Sequence, residues 1–104
     1  MTIAIPSATL RKYPLSDCFR ALAHVVWARH AEATVVLDAD RGKYYTLNEV
    51  AGRVWELVVA GEPVVEVLRL LGEEYDAPAE TLEADVARLL DRFLEARLIE
   101  RGVE

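Results

Sequence analysis

The sequence predicts an α+β domain in which an antiparallel sheet of three strands is followed by three helices. Residues 24–47 carry short runs of β-branched and aromatic residues between clusters of turn-forming residues, a pattern typical of strands. Residues 48–96 instead carry apolar side chains three and four positions apart, as amphipathic helices do. Strands and helices that occupy separate stretches of a chain pack as separate layers, so this order predicts a winged helix-turn-helix-like fold.

Length and composition fit one globular domain. The chain has 104 residues, of which 53% are hydrophobic and 29% are charged. We expect the domain to occupy residues 24–104 and treat residues 1–23 as an N-terminal extension, because that stretch has no regular pattern. The formal net charge of −6 disfavours binding to duplex nucleic acid, whose partners usually carry a basic surface.

The N-terminal extension offers two weak patterns. Ile3 and Ile5 alternate with small or polar residues before a proline interrupts them. Further on, Ser16 and Asp17 are good N-cap residues, and they predict a short helix that continues through Ala23.

Three strands are predicted within residues 24–47. Residues 25–27, 34–37 and 43–47 are rich in the β-branched and aromatic side chains that strands favour. The polar cluster at residues 38–42 includes a glycine and predicts the turn between the second and third strands. A shorter turn at Ala31-Glu32 separates the first and second strands.

Three helices are predicted after the strands. Asn48 is a suitable N-cap for the first helix, which should end near Gly61. Pro63 is well placed at the first position of the second helix, which residues 76–78 should terminate. The third helix is expected over residues 79–96.

The third helix carries a wider apolar stripe than burial against one neighbour requires. Its apolar positions form two rows along the helix. They are Leu82, Val86, Leu89, Leu90, Phe93 and Leu94. Beyond the helix, Leu98 and Ile99 predict a tight end of the chain that packs back on the core.

The sequence has no pattern typical of a catalytic or metal site, and no cofactor is expected. If His24 and His30 lie on one strand, they are too far apart to share a metal ion. Cys18 is the single cysteine, so no intrachain disulfide can form, and the cytoplasm is the expected compartment. No apolar run approaches the roughly 20 residues that a membrane-spanning helix needs.

The third strand and the third helix together predict a binding groove. As the last strand of the meander, residues 43–47 should expose the N–H and C=O groups of a sheet edge, which an extended peptide can join. The apolar face of the neighbouring helix would supply pockets for side chains. Two other occupants stay open, namely residues 3–5 of the same chain and the third strand of a second copy, which would make a homodimer.

Residues 35–48 form a motif-rich segment, and shorter motifs follow at residues 51–57, 70–75, 85–94 and 98–99. These five segments resemble the PqqD-like proteins, which are the pyrroloquinoline-quinone biosynthesis peptide chaperones and their relatives, the recognition elements for ribosomally made and modified peptides (RiPPs). Residues 35–48, VVLDADRGKYYTLN, are similar to the family's "LLD…GrYYxLN" segment. Residues 51–57, 70–75 and 85–94 resemble the signatures of its three helices, and Leu98-Ile99 its close. Each motif is weak alone, but their order and spacing together are specific.

The resemblance implies leader-peptide binding without catalysis. In this family the leader adds as a strand to the third strand and packs on the third helix. The chain is most similar to the stand-alone leader-binding proteins of lasso-peptide clusters. This implies a transglutaminase-like leader peptidase, or another RiPP-modifying enzyme, as the protein partner. The implied peptide contacts are Lys43, Tyr44, Tyr45, Thr46, Asp85, Val86, Leu89, Arg92 and Phe93.

Two other classes of function remain as alternatives. A winged-helix DNA-binding or regulatory adaptor would insert the third helix into the major groove, but that helix carries charges of both signs. An enzyme subunit would need convergent polar residues around Cys18 or a histidine, and the sequence offers none.

Overall fold

The computed structural model describes residues 13–102. Within them, the elements in chain order are β1 (Phe19–Ala21), β2 (Val25–His30), β3 (Ala33–Asp38), β4 (Lys43–Leu47), α1 (Glu49–Val59), α2 (Val64–Glu74), α3 (Ala79–Glu95) and β5 (Ile99–Arg101). The predicted meander and the three helices that follow it are confirmed. Residues 3–5, predicted as one possible cover for the sheet edge, lie outside the described residues.

The meander is antiparallel throughout, with the strand order β2-β3-β4. In the middle strand, Val36 lies opposite Trp27 on one side and Tyr45 on the other. The turn between β2 and β3 contains Ala31 with a φ of 59°, and the turn between β3 and β4 contains Gly42 with a φ of 68°. Both predicted turns are therefore confirmed in position.

The two faces of this sheet differ in burial. The inner face of β3 carries Val36, which is fully buried beneath the helices. On the outer face, Val26, Leu37 and Tyr44 form one cross-strand row of exposed side chains. Alternation along a strand therefore separates Tyr44, on the outer face, from its neighbour Tyr45, on the inner face.

The predicted helix ending at Ala23 is wrong, because residues 19–21 form β1 instead. β1 pairs with β5, so that Phe19 lies opposite Arg101 and Ala21 lies opposite Ile99. Phe19 is 2% exposed and joins the hydrophobic core. Ser16 and Asp17 therefore do not begin a helix, because the residues that follow them pair with β5 near the other end of the chain.

The turn between β3 and β4 is organised by a buried carboxylate. Asp38 is 0% exposed, and its Oδ1 accepts hydrogen bonds from the backbone N–H groups of Asp40 at 3.0 Å and Arg41 at 3.1 Å. These bonds satisfy two donors of a tight loop. They fix where β4 begins.

The helices begin within one residue of the predicted positions. The Asn48 side chain accepts a hydrogen bond from the Ala51 N–H at 2.9 Å and so caps α1. Pro63 is the N-cap residue of α2. Arg53 then joins α1 to the end of α2 through two hydrogen bonds to Glu74, at 2.9 and 2.8 Å, which hold the pKa of that carboxyl below its usual range. No helix within residues 13–102 is long and apolar enough to cross a membrane.

The core is centred on Trp55 of α1, which is completely buried. Its ring makes edge contacts with Trp27 of β2 at 6.4 Å and with Phe93 of α3 at 5.1 Å between centroids. Trp55 thereby connects the sheet with the last helix. Leu98 and Ile99 are each 2% exposed, which confirms that the end of the chain packs back on this core.

Gly52 allows α1 to approach β3 closely. A Cβ atom added to Gly52 would lie 2.5 Å from Thr34 Oγ1 and 3.1 Å from Thr34 Cβ. Thr34 is 2% exposed and β-branched, so it has little freedom to turn away. A glycine is required here for space rather than for its backbone angles.

We expect Gly52→Ala to lower the free energy of unfolding by about 1–2 kcal/mol, because α1 would be pushed off the sheet. Gly72→Ala is the matched control in α2. There the nearest atom to an added Cβ is Leu82 Cδ1 at 4.0 Å, so the better helix propensity of alanine should raise stability by up to about 1 kcal/mol. Urea denaturation of both variants measures this, and equal gains in both would contradict the close approach.

Candidate functional site

A groove of about 770 Å³ lies between β4 and α3. Among the described strands, β4 pairs only with β3, so its other edge faces this groove. The start of α1 closes one end. The residues that line the groove are Val36, Tyr45, Thr46, Leu47, Asn48, Val50, Ala51, Asp85, Arg88, Leu89, Arg92, Phe93, Glu95, Ala96 and Leu98.

The two walls of the groove run in opposite directions. Arg41, just before β4, donates a hydrogen bond to the Ala96 carbonyl at 3.4 Å, just after α3 ends. The start of β4 therefore lies beside the end of α3. Asn48, just after β4, and Asp85, in the first half of α3, line the same groove. A chain that adds antiparallel to β4 would consequently run in the same direction as α3.

The floor of the groove is apolar and rigidly supported. Phe93 and Leu98 are 3% and 2% exposed, and Tyr45 is half-buried beside them. Phe93 is fixed from below by its edge contact with Trp55. Since these side chains are already ordered, seating an apolar ligand on them carries little further loss of side-chain entropy.

The wall formed by α3 combines apolar and charged side chains. Asp85, Leu89 and Arg92 are spaced by four and three residues, which puts them on one face of the helix. Leu89 is half-buried and Arg92 is exposed. Asp85 pairs with Arg88, with 2.5 Å between the carboxylate and guanidinium atoms.

The opposite side of α3 is held by Tyr13. The Tyr13 ring is 6% exposed, and its hydroxyl donates a hydrogen bond to Asp91. Burial, together with this bond to a carboxylate, raises the pKa of Tyr13 to about 12. The residues before β1 therefore contribute to fixing α3, and thus the width of the groove, from the side that faces away from β4.

Six of the nine residues assigned to the site from the sequence line the groove. They are Tyr45, Thr46, Asp85, Leu89, Arg92 and Phe93. Lys43 is exposed at the start of the edge strand, and the Tyr44 side chain is 71% exposed on the outer face, so for both residues the expectation concerns the backbone. Their roles in peptide contact stay predictions.

The Val86 side chain is not among the residues that line the groove, and its role in peptide contact stays a prediction. It is 2% exposed and borders a small cavity beside Tyr13 and Leu90, on the far side of α3. The wide apolar stripe of α3 faces both the groove and the core, and Val86 lies on the part that faces the core.

Several lining residues were missed by the sequence analysis. Leu47 follows from strand alternation, because it shares a face with Tyr45. Arg88 and Ala96 follow from the helical face that contains Arg92. Leu98 belongs to the end of the chain, and only the three-dimensional structure brings it under the groove.

The part of the chain that the structure describes brings together no group of side chains suited to metal binding. Within residues 13–102, no three His, Cys, Asp or Glu side chains lie close enough to hold a metal ion. His24 precedes β2 and His30 ends it. His24 contacts the end of α3 instead, with 3.2 Å between its Nε2 and the Arg97 carbonyl oxygen.

The fold and the groove define a class of protein: a winged helix-turn-helix-like domain with a groove between its last meander strand and its last helix. The family model for PqqD, coenzyme PQQ synthesis protein D, matches residues 33–99, and the chain belongs to this family. The matched residues contain both walls of the groove. No curated protein sequence matches the chain.

Two solved structures are similar to most of this chain. One is described as TbiB1 in complex with the TbiA(beta) leader peptide. It has a TM-score of 0.75 and 26% sequence identity, over 82% of this chain and 99% of that one. The other is lasso peptide synthetase B1 complexed with the leader peptide, with a TM-score of 0.73 and 26% identity, over 79% of this chain and 96% of that one.

Proposed function

We propose that the chain binds the leader segment of a ribosomally made precursor peptide, by strand addition to β4 and packing on α3. The observation that carries this proposal is the edge of β4 that no described strand pairs with, which faces α3 across a groove of about 770 Å³. Membership of the PqqD family and the two similar leader-peptide complexes support it.

The two walls have different tasks in this proposal. The backbone of β4 supplies N–H and C=O groups, which any extended chain can pair with. The α3 wall and the floor contact the side chains of the peptide, since every second residue of the added strand points towards Leu89 and Phe93. Affinity therefore comes from both walls, whereas selectivity comes from α3.

The proposed domain performs no chemistry itself. It holds the precursor near a partner enzyme and so raises the effective concentration of the substrate there. The similarity to lasso peptide synthetase B1 favours a lasso-type pathway, with a transglutaminase-like leader peptidase as the partner enzyme. We place this encounter in the cytoplasm, where ribosomes make the precursor. A homodimer across β4 is also proposed, and it would compete with the leader for the same edge.

A fluorescence-polarisation titration tests the proposal. The probes are labelled leader peptides of precursors encoded near this gene, with the TbiA(beta) leader and an unrelated DNA duplex as comparisons. We expect saturable leader binding that survives about 0.5 M salt, because backbone pairing and apolar contacts are weakly screened, unlike phosphate contacts. Salt-sensitive DNA binding without leader binding would instead favour the DNA-binding adaptor.

Leu89→Glu should weaken leader binding by at least about tenfold, because it replaces the apolar side chain between Asp85 and Arg92 by a charged one. The fold should persist, since Leu89 is only half-buried. Val65→Glu is the matched control, because Val65 is 47% exposed on α2 and lies outside the groove. Leu57→Glu should instead unfold the domain, since Leu57 is 6% exposed in the core.

Circular dichroism measures whether each variant folds, and the same titration measures its leader binding. Full leader binding by Leu89→Glu would show that α3 is not part of the binding site.

A further inference from the structure

The charged side chains of the groove all lie on one wall. Asp85, Arg88, Arg92 and Glu95 of α3 line it, whereas its other lining residues are uncharged. Among the residues that line the groove, fixed charges therefore lie on α3 alone. How those charges are compensated determines which peptide side chains fit.

Two of the four charges compensate each other, and a third lies at the rim. Asp85 and Arg88 form an ion pair at 2.5 Å. Glu95 is one helical turn beyond Asp91, which accepts the hydrogen bond from Tyr13, so Glu95 lies towards the side of α3 that faces away from β4.

Arg92 is the charge that remains in the middle of the wall. Its side chain has no hydrogen bond or ion pair with any other residue in the range 13–102. It lies two turns after Asp85 on the same helix face, with Leu89 between them. A guanidinium in this position presents a fork of donors that matches a carboxylate.

We propose that Arg92 selects a peptide that carries Asp or Glu two residues after an apolar side chain seated on Leu89. This inference rests on the proposed function, because it assigns the chemistry of the segment that β4 and α3 hold. Arg92 is therefore a specificity-determining residue of the groove, and the selected segment has the order apolar–x–acidic from N to C terminus.

The spacing follows from the geometry of the two walls. Leu89 and Arg92 are separated by about 4.5 Å along the helix axis, at 1.5 Å per residue. Alternate residues of a strand lie on one face about 6.6 Å apart, and the long arginine side chain covers the difference. Adjacent strand residues would point to opposite faces and could not engage both side chains.

The order follows from the direction of the walls. The sheet is antiparallel throughout, and an added antiparallel strand continues it. Such a strand runs in the same direction as α3, because β4 and α3 are themselves opposed. It passes Leu89 before Arg92, so the apolar residue precedes the acidic one.

Selection from a displayed random library of 12-residue peptides tests this inference without a known ligand. The full chain should enrich sequences with an apolar residue followed two positions later by Asp or Glu. Arg92→Glu should enrich Lys or Arg at that same position, whereas Arg92→Gln should keep the apolar preference and lose the charge preference. Arg69→Glu is the control, since it makes the same change in net charge on α2, outside the groove.

The strongest wild-type clone then serves as the probe in a titration. Replacing its acidic residue by the matching amide should weaken binding to the wild type by about fivefold and leave binding to Arg92→Gln unchanged. If wild type and Arg92→Glu enrich the same charge at that position, the inference is overturned. The proposed function would still stand if the selected clones fail to bind Leu89→Glu. If every selected clone binds Leu89→Glu as tightly as wild type, both the inference and the proposed function are overturned.

Discussion

The groove exists because α3 is held beside the edge of β4 rather than on top of it. Phe93 packs edge-on against the buried Trp55, and this contact fixes how near α3 comes to the sheet. The Arg41 hydrogen bond to the Ala96 carbonyl joins the start of β4 to the end of α3. On the far side, Tyr13 binds Asp91 and keeps the helix from rotating. The side chains of α3 thus line a groove along the edge of β4 that no described strand pairs with.

Much of this arrangement is encoded locally and is therefore readable from the sequence. Alternation predicted β4, the side chain of Asn48 predicted the start of α1, and helical periodicity predicted α3. β1 was not predictable in the same way. Its partner β5 lies about 80 residues further along the chain, and capping residues such as Ser16 and Asp17 describe only local preferences. Strand pairing between the two ends of a chain leaves little trace in either segment.

The candidate site was predictable to the same degree. The family motifs and the edge position of β4 pointed to β4 and α3, which line the groove, because each depends on neighbouring residues. Deciding which single side chains line the groove required the pairing register of β4 and the rotation of α3 about its axis. Tyr44 and Tyr45 differ only in the face they occupy, and Val86 differs from Leu89 only by its angle around α3. Arg88 forms an ion pair with Asp85, whereas Arg92 has no such partner among the described residues. Sequence spacing alone does not give the distances that decide this.

Backbone amide hydrogen exchange, measured residue by residue with and without a leader peptide, tests strand addition most directly. The account predicts that the β4 amides that point away from β3 exchange slowly only when the leader is bound, because they then donate to the added strand. The amides on the free edge of β2, within the described meander, should exchange at the same rate in both samples. Leader binding that protects the β2 edge, or that leaves β4 unprotected, would contradict the account.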